Sequence, residues 1–95
     1  MLFRSIEAKV ANYIAALPMK ETNIYDRTLA WERDLTPVQR QAQSQAVRAV
    51  FDVQFQNRND EEKLILLTAF VEQADENKKH QAAIKKIREI GRAHV

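Results

Sequence analysis

The chain has 95 residues and no cysteine, a single glycine and two prolines. Without cysteine there is no disulfide framework, no thiolate nucleophile and no thiolate metal ligand. The one glycine, Gly91, rules out a glycine-rich phosphate loop. It also leaves no supply of the residues that tight β-hairpins use in their turns, which argues against an all-β fold. No apolar run approaches the ~18 residues of a membrane span. The start of the chain, Met1-Leu2-Phe3-Arg4-Ser5-Ile6-Glu7, lacks the charged-then-apolar order of a signal peptide. The expectation is a soluble, cytoplasmic protein. Charge of one sign is also lacking: fifteen Lys plus Arg against thirteen Asp plus Glu leave +2, too little to argue for nucleic acid by itself.

What is present is helix-forming material, rich in Ala, Gln, Glu, Lys, Arg and Leu. The length suits one domain with a modest core. Phe3, Ile6, Val10, Tyr13, Ile14 and Leu17 recur at three- and four-residue steps, predicting a core-facing amphipathic helix over residues 2–17. Pro18 should stop it. A second helix is expected over 23–33, with Thr22 or Asn23 as cap and Asp26 in its first turn. Tyr25 and Trp31 read as large core residues rather than a binding hot spot. Glu32, Arg33 and Asp34 read as the exposed exit.

Residues 36–57 read as the element around which the chain is organised. Thr36 suits an N-cap, Pro37 the first helical position, and Gln39 the third position of a capping box. Val38, Ala42, Ala46, Ala49, Val50 and Val53 fall on one helical face; Val47, Phe51 and Phe55 form a second stripe. Residues 47–55 also alternate apolar and polar as a strand would. The upstream cap and the absence of a partner strand favour helix. After a polar break, Asn59 or Asp60 can cap a helix carrying Leu64 to Val71, apolar on nearly every side. Packed against 36–57 it would make an antiparallel helical hairpin. Residues 75–81 read as a break or kink, and 81–89 as a last helix burying Ala83, Ile84, Ile87 and Ile90. The expected fold is therefore all-α, a small irregular bundle of four to five helices around a central hairpin.

Ile90-Gly91-Arg92-Ala93-His94-Val95 resembles the in-frame translation of a sequencing-adapter sequence. On that reading 1–89 is the helical domain, the N-terminal part of a longer protein, and 90–95 is an artefactual or disordered tail. The alternative is a genuine terminus with Gly91 as a helix C-cap. Without Arg92 the net charge falls from +2 to +1.

Chemistry is hard to place. His80 and His94 have no ligand partner at three- or four-residue spacing, and His80, among lysines, reads as a solvated surface residue. Asp60-Glu61-Glu62 and Asp75-Glu76 are explained by helix capping. Ser5 and Ser44 lack a nucleophile-elbow context. No catalytic, metal or cofactor site emerges, and no small-molecule substrate suggests itself. The expected function, reached largely by elimination, is non-enzymatic protein–protein interaction or assembly. Val47, Phe51, Phe55, Leu66 and Phe70 are the candidate partner interface. The alternative is a nucleic-acid-binding accessory protein using Lys78, Lys79, Lys85, Lys86 and Arg88.

Overall fold

The computed structural model describes the backbone of residues 2–93 and the side chains of residues 6–90. Six helices follow one another among the described residues: α1 (Leu2–Lys20), α2 (Ile24–Asp34), α3 (Pro37–Gln41), α4 (Gln45–Phe51), α5 (Asp60–Gln73) and α6 (Lys78–Ala93). Short 3₁₀ turns at Phe55–Asn57 and Asp75–Asn77 lead into α5 and α6. There is no strand among the described residues, so the all-α expectation holds. The alternation over 47–55 is read by a helix, α4, and then by an irregular segment.

The organising helix is α5, not the 36–57 segment. Contacts to α5 come from α1, α2, α4 and α6. Its sequence explains this: a helix apolar all round is stable only when neighbours cover several faces. Leu67, Phe70 and Val71 turn one way, into a core with Val10, Ile14, Leu17, Ile24 and Ile84. Leu66 and Ala69 turn the other way, onto Val47 and Val50. Trp31 packs against both groups, its ring 5.8 Å from that of Phe70. Asn59 starts α5 with a complete capping box: its side chain accepts from the Glu62 N–H at 2.8 Å, and Glu62 accepts from the Asn59 N–H at 3.0 Å.

The expected 36–57 helix is divided. The Thr36 cap, Pro37 and the Gln39 capping box are all in place, but α3 ends after five residues. Ser44 then caps a new helix, accepting from the Val47 N–H at 3.3 Å. A serine hydroxyl competes with the backbone ladder and favours such restarts. The break undoes the expected common face: Val38 is 79% exposed and Val50 only 2%. The hairpin survives in shortened form, as α4 against α5.

Other boundaries move as well. Pro18 lies inside α1, which runs one turn further and closes with the Glu21 N–H on the Leu17 carbonyl at 2.7 Å. Asn23 precedes α2 without a side-chain cap bond. α6 begins at Lys78 rather than at residue 81, and its backbone continues through Gly91 to Ala93, so Gly91 is not a cap. His94 and Val95 lie outside the described residues. Among the described residues no helix is long and apolar enough to cross a membrane.

Candidate functional site

The candidate residues fall on separate surfaces of the described structure. The first is a polar network at the joint of α1, α2 and α6. His80, read from sequence as a surface residue, is 8% exposed. α6 starts three residues earlier than expected, and this places His80 on the face that packs against α1. Its Nε2 lies 2.5 Å from Glu21 Oε2, and its Nδ1 lies 2.9 Å from the Tyr13 hydroxyl. An ionised carboxylate only accepts, so Nε2 carries the proton and, in the neutral ring, Nδ1 accepts from Tyr13. Arg27 donates to Glu21 at 2.9 Å, to Glu76 at 3.1 Å and to the Asn77 side-chain oxygen at 3.3 Å. The hydrogen bonds from Arg27, then that from His80, hold the Glu21 carboxyl below its ordinary value, against the opposing effect of burial. Burial, with the charge of Glu21, pushes the Tyr13 phenol up, away from an activated nucleophile.

Beside it, Asn77 is buried and donates to the Phe70 carbonyl at 3.0 Å. Gln81 donates to the carbonyls of Val71 and Ala74 at 3.1 and 2.9 Å. Gln81 thus covers the Val71 carbonyl in the last turn of α5 and that of its C-cap Ala74, while Asn77 shares the Phe70 carbonyl with the Ala74 N–H. The expected break at 75–77 is thus a capped junction. Among the described residues no group of three or more His, Cys, Asp or Glu is placed to hold a metal ion.

The second surface concerns the five candidate interface residues, which the structure does not bring together. Phe70, Leu66 and Val47 are core residues, 0%, 3% and 7% exposed. Phe51 is half-buried beneath the Arg40 guanidinium, 5.1 Å above its ring. Phe55 alone stands out, 57% exposed. With Tyr25, Leu29, Lys63 and the edge of Leu66 it borders a small cavity of about 160 Å³. Behind this cavity Arg58 is buried and pairs with Glu32, which is therefore not part of an exposed exit.

A larger opening was not foreseen. A groove of about 680 Å³ runs along α5, over Leu64, Ile65, Thr68 and Ala69. Ala42, Gln43, Ser44 and Val47 form its wall. Gln43 and Gln73 close one end with reciprocal side-chain amide bonds of 2.8 and 2.7 Å. Leu64, Ile65 and Thr68 are only half-buried. The signal in the sequence was an α5 apolar on every side. Finding the groove also required knowing that 42–44 is not helical.

The third surface is the outer face of α6. Lys78, Lys79, Lys85 and Lys86 are exposed, and none is in an ion pair among the described residues. Arg88 differs: it is half-buried and reaches Glu72 at 3.3 Å and Glu7 at 3.7 Å. α6 holds six of the fifteen basic residues and one of the thirteen acidic ones, a net +5, which leaves −3 for the rest of the chain.

No protein-family model matches the chain, and no curated protein or solved structure matches it.

Proposed function

We propose that the chain is a helical protein–protein interaction or assembly module without catalytic activity of its own. One observation carries this reading. The Leu64 to Val71 stretch of α5 is apolar on nearly every side, yet Leu64 and Ile65, with Thr68, remain half-buried along a groove of about 680 Å³. Partly uncovered apolar surface of this kind is what partner helices and loops bury. The polar network supports the same reading. Both His80 nitrogens are already engaged and the Tyr13 phenol is pushed up, so the cluster serves to join helices.

A second reading rests on the lysine face of α6. Its net +5 on an otherwise acidic chain suits a nucleic-acid-binding accessory role through phosphate contacts. A single experiment separates the two. A photo-crosslinking amino acid is placed at Thr68, at Phe55 or at Lys86 and activated in cell extract. Polypeptide adducts from Thr68 or Phe55 support the interaction module. Nucleic-acid adducts confined to Lys86 support the second reading, and no polypeptide adduct from Thr68 or Phe55 overturns the first.

A further inference from the structure

We infer that the groove along α5 receives an amphipathic helix of about three turns that carries lysine or arginine at its ends. This rests on the interaction reading above and names the partner's chemistry. The groove floor is itself helical, with Glu61, Leu64, Ile65, Thr68 and Glu72 following three- and four-residue steps. The eleven steps from Glu61 to Glu72, at 1.5 Å each, make it about 16 Å long, the length of about three turns. Leu64 and Ile65 lie at its middle, so an occupant places apolar residues there at i, i+3 or i+4, and i+7.

Charge decides the rest. Among the described residues the lining carries two carboxylates, Glu61 and Glu72, towards opposite ends, and no cation. Glu61 is exposed and in no ion pair among the described residues. Among the described residues Glu72 meets only Arg88, through one oxygen at 3.3 Å. A partner with acidic ends would meet repulsion at both. A second copy of the chain fits less well. α6 offers the basic face, but its Ile84 is buried and its Ile87 packs on the same core, leaving no apolar stripe between the lysines. Strand addition lacks a site, since no sheet edge exists among the described residues.

The test uses the full chain and a phage-displayed library of helical peptides of about 16 residues, Leu fixed at i, i+4 and i+7, end positions randomised. Selected clones are expected to carry Lys or Arg at their ends. Their amide-shift footprint on the labelled protein should centre on Leu64, Ile65 and Thr68. Glu61→Lys, with helicity checked by circular dichroism, should weaken binding roughly tenfold, and Thr68→Arg should abolish it. Enrichment without charge preference, a footprint elsewhere, or no binding clones overturns the inference. So does self-association, seen by light scattering, that Thr68→Arg removes. Polypeptide crosslinks from Phe55 with none from Thr68 would leave the interaction reading standing and remove this one alone; crosslinks from neither would remove both.

Discussion

Arg58 and Glu32 meet in two parallel hydrogen bonds, Nη1 to Oε1 at 2.7 Å and Nη2 to Oε2 at 2.8 Å. The Arg58 Nε also donates to the Val53 carbonyl at 3.1 Å. One guanidinium thus ties α2 to the irregular segment between α4 and α5. The hydrogen bonds that Arg58 donates to Glu32 raise the pKa of Arg58 against the opposing effect of burial, so it stays charged. Arg58→Ala would strand a largely buried carboxylate and should cost about 3 kcal/mol. Replacing both residues, as Glu32→Leu with Arg58→Met, should restore most of that. Urea denaturation of the single and double variants measures it. A loss below about 0.5 kcal/mol for the single change would mark the pair as no stronger than an exposed one.

Glu21 makes stability sensitive to acid. Its folded carboxyl is held below the ordinary value of 4.5, first by Arg27 and then by His80. The unfolded chain therefore binds this proton at higher pH than the folded one. The contribution is fully present above pH 4.5 and is lost as pH falls through the lower folded value. Glu21→Gln should flatten the slope of stability against pH below 4.5. Thermal melts of both proteins across that range decide it; parallel slopes in the acid region would show that other carboxyls dominate.

Tyr13→Phe removes the hydroxyl partner of His80 Nδ1 and little else. A hydrogen bond of this sort contributes about 1 kcal/mol net. The expected outcome is a small fall in melting temperature with unchanged helicity. A large loss of helicity would mean that the network nucleates the α1–α6 contact rather than merely fastening it.

Ser44→Ala tests the break within 36–57. Loss of the cap should cost about 1 kcal/mol. If α3 and α4 instead fused into one helix, circular dichroism would show a gain in helix, and amide shifts would move at residues 42–44. The fused form would also reshape the groove wall at Gln43 and Ser44.

Phe70 has no solvent exposure and lies between Trp31 and the α1 side of the core. Phe70→Ala should cost about 3–5 kcal/mol. Trp31, the sole tryptophan, should report it as a shift of its fluorescence towards that of exposed indole. A variant with wild-type emission and midpoint would contradict the assignment of these two rings to one core.

Local signals in the chain were legible where they act over one turn. The Thr36 and Asn59 caps, the absence of strands and the stripe Val10, Ile14 and Leu17 all follow from residue type and spacing. The restart at Ser44 is not legible, because a cap and a mid-helix serine look alike until the Val47 N–H is placed against the hydroxyl. Pro18 does not end α1 because a proline forfeits one bond, and the turn after it still closes on Leu17.

The sites were less legible, for a different reason. His80 and Tyr13 are 67 residues apart in the chain, and Arg58 and Glu32 are 26 apart. Nothing in composition or periodicity pairs such groups; only packing of α6 on α1, and of the segment after α4 on α2, brings them within bonding distance. The sequence by itself determined that this protein is helical, where most helices begin, and that Leu64 to Val71 must be surrounded. These depend on backbone sterics, capping and the apolar period within one helix. Tertiary structure alone decided that α5 is the hub, that Phe70 and Leu66 are core while Phe55 is surface, and that the groove along α5 stays open. Each of those depends on which faces of several helices meet, and burial is a property of the whole packing rather than of any one stretch.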